Sequence, residues 1–199
     1  MRYAIGILLV FLHLSAGTSG AEEMKESHQK ATFAGGCFWG IEKYFSEMKG
    51  IMSTRVGYTG GTVQNPTYEE VCAGGTGHAE AIEIAYDPSL VSYEELLEFF
   101  FRLHDPTTKN SQGPDVGSQY RSAIFYHKDA QKKAAERAVK LLNDSHIFRQ
   151  PIVTEIEPAG EFYAAEEYHQ KYLEQNPGGY CSIHLESGRI SEILRAVSK

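Results

Sequence analysis

The segment Gly35-Gly36-Cys37-Phe38-Trp39-Gly40 sets a thiol between glycines and beside two aromatic rings. Phe33-Ala34 before it has the character of a strand end, and Phe38, Ile41, Phe45 and Met48 then recur at helical spacing until Gly50. Cys37 is therefore expected at a strand-to-helix junction. Unpaired N–H groups and the positive end of the helix dipole favour a low-pKa thiolate there. The paired glycines leave room for other groups to approach the sulfur. A buried core cysteine is the competing reading.

Glu80 is the second residue with chemical promise. On an alternating strand Ala79–Tyr86 it has the parity of Ile82, Ile84 and Tyr86, so its carboxyl is directed toward apolar surface. Burial disfavours the charged form, raises the pKa and leaves a general acid at neutral pH. A strand-end glutamate reaching water is the plainer alternative. Tyr68, Tyr120 and Asp115 stand near breaks in regular structure and could orient a polar substrate atom, although most tyrosines simply pack with wet tips. Cys181 follows Pro177-Gly178-Gly179-Tyr180, and a thiol on such a tail suits a resolving cysteine that swings toward an oxidised partner. Cys72, on one face of a short helix with Tyr68 and Val71, is expected to be buried and inert. The scattered histidines lack zinc spacing and there is no CxxC, so no metal or bound cofactor is expected.

These residues need elements to carry them. The pattern predicts a strand at Ala31–Ala34, a helix at Phe38–Lys49 and a strand at Met52–Tyr58. Capping boxes at Thr67/Glu70 and Ser92/Glu95 open helices Tyr68–Ala73 and Tyr93–Leu103 around the strand Ala79–Tyr86. A long polar loop, Asp105 to Ser118, is followed by a strand Gln119–Tyr126, a helix Asp129–Asn143, a strand Ile152–Glu157 and a helix from Phe162 to Glu174. A last short helix covers Glu186 to Val197. The first six major elements run strand, helix, strand, strand, helix, strand. That order implies an α+β fold, a two-layer ferredoxin-like sandwich of mostly antiparallel sheet with helices packed on it and an irregular C-terminal extension.

The chain of 199 residues can bury a single ordinary core. Arg2, the apolar run Tyr3–Leu14 and Ser19-Gly20-Ala21 have the form of an export signal over residues 1–21, so the protein is expected to be periplasmic or secreted. Residues 22–30 follow as a loose polar segment, and 31–199 make one catalytic domain. The formal net charge of −7 argues against nucleic acid and anionic membranes as partners. Three cysteines cannot all pair within one exported chain, which leaves a free or exchanging thiol.

The stretches Gly35–Gly40, Gly57-Tyr58-Thr59-Gly60-Gly61, Asn65-Pro66-Thr67-Tyr68, Gly77-His78-Ala79-Glu80 and Asp115–Ser122 together resemble the A-type peptide methionine sulfoxide reductases. Tyr168-His169-Gln170-Lys171-Tyr172-Leu173 is similar as well. The resemblance implies that Cys37 is the nucleophile, that Glu80 protonates the sulfoxide oxygen, and that Tyr68 and Tyr120 assist. It also implies a methyl pocket of Phe38 and Trp39, a peptide contact at Asp115 and a resolving role for Cys181. The substrates would be oxidised proteins or peptides carrying the S epimer of methionine sulfoxide. With no further cysteine and no appended reductase or thioredoxin-like domain, recycling would fall to an external thiol reductant, a thioredoxin-like protein or a dithiol. Two other classes stay open: a cysteine hydrolase pairing Cys37 with His78 or His104, and a binding domain stapled by a Cys37–Cys181 bridge.

Overall fold

The computed structural model describes residues 28–183, 185–186 and 188–195. The export segment read at 1–21, and residues 22–27 of the polar segment, lie outside them. Gln29 and Lys30, expected to be loose, already belong to the first strand.

A six-stranded mixed sheet carries the domain. β1 (Gln29–Gly35), β2 (Ile51–Thr59), β3 (Ala79–Tyr86), β6 (Ser122–Tyr126), β7 (Glu155–Pro158) and β8 (Tyr163–Ala164) lie in the order β7-β6-β1-β3-β2-β8. The central strands pair antiparallel, whereas β6 and β7 run parallel. A parallel pair needs a crossover, supplied here by the helix α4 (Asp129–Asp144). With α1 (Phe38–Ser46) and α3 (Tyr93–Leu103), α4 covers one face of the sheet.

The core on that face is aromatic. Phe33 of β1 stacks on Phe45 at 5.6 Å and on Phe100 at 4.9 Å, so one strand residue joins two helices. Ile82, Ile84, Leu96 and Ile124 fill the remainder and are fully buried. The opposite face is built from Ala34, Ala79, Ala81, Ala123 and Phe125, with the partly buried Ala159 and Phe162 packed against them. Both predicted capping boxes are present, at Thr67/Glu70 for α2 (Tyr68–Ala73) and at Ser92/Glu95 for α3.

Several expectations fail, among them the start of the strand expected at Ile152, which begins only at Glu155. The loop Asp105–Ser118 contains a small hairpin, β4 (Ser111–Gln112) with β5 (Asp115–Val116). Gln119 and Tyr120 lie in a 3-10 turn, Ser118–Tyr120, and the strand begins only at Ser122. The helix expected over Phe162–Glu174 is instead the edge strand β8, a 3-10 turn Glu167–His169 and a single helical turn, α5 (Tyr172–Gln175). Its apolar spacing is helix-like, but long-range bonds hold the backbone open. The Gln170 side chain accepts from the Val56 N–H and donates to the Val56 and Ala165 carbonyls. The last helix, α6 (Arg189–Arg195), is shorter than expected, and its expected end at Ala196 and Val197 lies outside the described residues.

One buried carboxylate pins this region to α1. Glu42, 1% exposed, accepts from the Thr54 hydroxyl at 3.0 Å and from the Lys171 N–H at 2.6 Å. Lys171 has a left-handed φ of 50°, a conformation uncommon for an L side chain. Glu42→Ala orphans both donors and is expected to cost about 1–3 kcal/mol. Denaturant unfolding measures it, and a midpoint equal to wild type would remove Glu42 from this role.

Candidate active site

β1 delivers the chain to Gly35, and the turn through Gly36 starts α1 with Cys37 at its N-cap. Gly36 has φ +97°, and a Cβ there would come within 2.6 Å of Gln112 Cγ. The glycine pair thus admits the β4 side chain to the back of the thiol loop, as the sequence suggested for neighbours in general.

The register of β3 then sets Glu80 beside the same turn. Phe33 pairs with Ile82, and Glu80 lies two residues further on, facing the end of β1. The Phe38 N–H, on the residue after the cysteine, donates to Glu80 Oε2 at 3.1 Å. Glu80 is 2% exposed, and burial pushes its pKa up to about 8 against the partial relief of that hydrogen bond. Strand parity therefore had the side chain's face right, and burial favours the protonated carboxyl.

The thiol departs from expectation. The backbone N–H of Trp39 in the first turn does lower the Cys37 pKa, although the side chain makes no cap hydrogen bond. Burial nevertheless outweighs this and pushes the thiol well above the ordinary cysteine range, with a further contribution from Glu80. A helix terminus is worth about 0.3–1 kcal/mol, whereas removing a thiolate from water costs several times more. Burial thus favours the protonated form of both groups, the thiol and the carboxyl.

Tyr68 and Tyr120 are both close enough to Glu80 for its charge to raise their pKa values, after burial, and each is close enough to the other hydroxyl or to Cys37 to matter as well. They enter from unrelated elements, the first turn of α2 and the 3-10 turn before β6. Cys72 is half-buried rather than sealed in the core, and burial raises its pKa against a lowering contribution from the nearby Tyr68 hydroxyl.

Phe38 packs beneath the site, 1% exposed, and Trp39 forms a half-buried wall. Sequence reasoning missed what orients Trp39. Its ring stacks on Tyr172 at 3.8 Å, and its indole N–H donates to His169 Nδ1 at 3.0 Å. The His169 ring also contacts Phe38 and Tyr68 at 5.1 Å and 4.5 Å. Glu166 completes the frame by accepting from the Tyr58 hydroxyl and the Tyr68 N–H. Only the resemblance of Tyr168–Leu173 to the reductases pointed at this stretch.

Cys181 is docked rather than loose. A Cβ on Gly40, one turn along α1 from Cys37, would come within 3.0 Å of its Sγ. The thiol donates to the Ile183 carbonyl at 3.6 Å, and the sulfur lies near enough to Cys37 to contribute to its raised pKa. All three cysteines are free, so no Cys37–Cys181 staple holds the fold. Asp115 is near enough to Cys37 and Glu80 to raise their pKa values, and its carboxylate accepts from the tail residues Tyr180 and Ser182. The hydrolase alternative loses its base. His78 uses both ring nitrogens on the Gly61 N–H and the Val63 carbonyl, and His104 uses both on the Phe100 carbonyl and the Ser122 hydroxyl.

Cavities along α3 and around Asp105–Gly113 include neither Cys37 nor Glu80, so the chemistry is marked by side chains and not by volume. Among the described residues no three His, Cys, Asp or Glu side chains converge as metal ligands. No helix among them is long and apolar enough to cross a membrane.

A sequence model described as peptide methionine sulfoxide reductase matches residues 29–198. The chain belongs to the A-type peptide methionine sulfoxide reductase family. It is 59% identical over 156 residues to a peptide methionine sulfoxide reductase MsrA of Methanothermobacter thermautotrophicus, a match covering 78% of this chain and 92% of that one. The crystal structure of Mxr1 from Saccharomyces cerevisiae in reduced form superposes with a TM-score of 0.76 at 40% identity, over 81% of this chain and 93% of that one. Mxr1 in complex with Trx2 superposes with a TM-score of 0.55 at 28% identity, over 81% and 91%. The family's reaction, reduction of the S epimer of methionine sulfoxide to methionine by thiol chemistry, is the activity of this chain.

Proposed function

We propose that the reduction runs through Cys37 as nucleophile with Glu80 as general acid. The observation that carries this reading is the Phe38 N–H to Glu80 hydrogen bond of 3.1 Å, which ties a buried, neutral carboxyl to the residue next to the thiol. Sulfoxide oxygen leaves sulfur readily only once it is protonated, and Glu80 holds that proton at neutral pH. Tyr68 and Tyr120 donate to the same oxygen, and Trp39 and Phe38 receive the methyl group. A neutral thiol plus a sulfoxide has the composition of a sulfenic acid plus a thioether. The step therefore needs no thiolate at rest: Glu80 lends its proton to oxygen and recovers the one that sulfur releases as it attacks.

Cys181 then condenses with the Cys37 sulfenic acid to a disulfide, and an external thiol regenerates the pair. The named complex of Mxr1 with Trx2 supports a thioredoxin-type reductant, while the net charge of −7 gives no support to nucleic acid or membrane partners. Oxidised proteins and peptides are the fitting substrates. We read the sheet order β6-β1-β3-β2 with α1 and α3 on one face as a ferredoxin-like core. The apolar Tyr3–Leu14 run supports export, which N-terminal sequencing of the mature protein tests.

The deciding experiment uses Cys181→Ser. One equivalent of methionine per enzyme is expected in the absence of reductant, with a dimedone-reactive sulfenic acid on Cys37 by mass spectrometry and thioredoxin-driven turnover lost. Steady turnover with thioredoxin would reject the resolving role. A wild-type enzyme yielding no methionine would reject the whole assignment.

A further inference from the structure

Both oxygens of Asp115 are taken by the tail. The Tyr180 hydroxyl donates to Oδ1 at 2.9 Å and the Ser182 hydroxyl to Oδ2 at 2.8 Å. These two residues flank Cys181 on either side. Directly after them Ile183, 2% exposed, packs into the core, and a Cβ on Gly40 would overlap its Cγ1 at 2.5 Å. Cys181 is thus gripped at both neighbours by one carboxylate and anchored behind by one buried isoleucine. The thiol is left with a single weak bond to the Ile183 carbonyl.

We propose that Asp115 is a positioning residue for the resolving step, a clasp that holds Cys181 over Gly40, one helical turn from Cys37. Asp115 sits on the short β4–β5 hairpin next to Gly113-Pro114, close enough to influence Glu80, Cys37 and Tyr120 electrostatically. The same carboxylate therefore borders the substrate niche and fixes the tail. In the step it serves, the Cys181 sulfur attacks the Cys37 sulfenic sulfur. The S–S bond forms as the S–O bond breaks, and the hydroxide leaves as water with the thiol proton. No outside oxidant enters, because the sulfoxide has already oxidised Cys37. Charge-assisted hydrogen bonds hold the geometry better than neutral ones, and a sulfur displaced by an ångström loses its alignment.

This inference rests on the reductase reading, and its test separates the two. In a single turnover without reductant, Tyr180→Phe combined with Ser182→Ala removes both tail donors and leaves Asp115 in place. Methionine should form in the first step at the wild-type rate, while disulfide formation, followed by rapid quench and mass analysis, slows at least about tenfold. Dimedone should trap the accumulated Cys37 sulfenic acid. Ser182→Thr keeps a hydroxyl and should restore most of the disulfide rate when Tyr180 is retained. Disulfide formation at the wild-type rate in the double variant would overturn the clasp. A first step slowed in parallel with the second would also overturn it, since the tail donors would then serve the niche and not Cys181. Absence of methionine from wild type would instead sink the reductase reading beneath it.

Discussion

Cys37→Ser is expected to lose sulfoxide reduction by at least about 10⁴-fold while gaining stability. A hydroxyl is a far poorer nucleophile toward sulfur and cannot end as a sulfenic acid, so no slow version of the same route remains. The stability gain has a separate origin. Cys37 is the N-cap of α1 and makes no side-chain cap hydrogen bond, whereas serine is among the preferred caps. Up to about 1 kcal/mol is available there, seen as a higher unfolding midpoint. Retained turnover of the S epimer would dispose of the nucleophile assignment; a lowered midpoint would show that the N-cap is not where the cysteine's cost lies.

That cost marks the line between what was legible in the sequence and what was not. The position of Cys37 could be read, because glycines, a strand end and a 3.6-residue apolar period all meet there. Parity in β3 set Glu80 on the face of Ile82, Ile84 and Tyr86 but left open a strand-end glutamate reaching water, and only the packing around β3 removes that alternative. The capping boxes fixed the starts of α2 and α3 within the residue. The ionisation of the thiol could not be read, because a helix start is a local feature and desolvation is a tertiary one. Phe38, the α1 turn and the docked tail exclude water from the sulfur, and the tail arrives from more than 140 positions away.

The stretch from Phe162 to Gln175 failed for a related reason. Ala165, His169, Tyr172 and Leu173 follow helical spacing, yet the segment obeys Val56, Glu42 and Trp39, none of them near it in sequence. Local propensity is a weak prior where each residue answers to a different distant partner. Asp115 shows the same limit. Its place beside the site was legible from the resemblance, while its bonds to Tyr180 and Ser182 depend on how the tail folds back.

Glu80→Gln should slow the first chemical step by about 10²–10³-fold, the usual contribution of a positioned general acid. The fold should survive, because the Gln carbonyl can still accept the Phe38 N–H. The pH profile is the sharper reading. Glu80 titrates at about 8, so the wild-type single-turnover rate should be level from pH 6 to about 7.5 and fall about tenfold per unit above 8. The variant should show no such fall. An alkaline limb that persists in the variant would acquit Glu80, and a wild-type rate climbing tenfold per unit below 8 would mean that a minor thiolate, not the neutral thiol, attacks.

Stability supplies an independent check with the opposite sign. In the folded chain Glu80 keeps its proton up to about 8, whereas the ordinary value is 4.5. Between those pH values the folded state binds one proton more than the unfolded state, so stability declines as pH rises, by about 1.4 kcal/mol per unit. By pH 7 the buried carboxyl has cost about 3 kcal/mol relative to pH 4.5. Gln has no proton to lose. Its variant should therefore unfold at higher denaturant than wild type at pH 8 and converge with it at pH 5. Identical pH dependence in the two proteins would mean that Glu80 is ionised in the folded state, and a site with an ionised Glu80 has no acid to give to the sulfoxide.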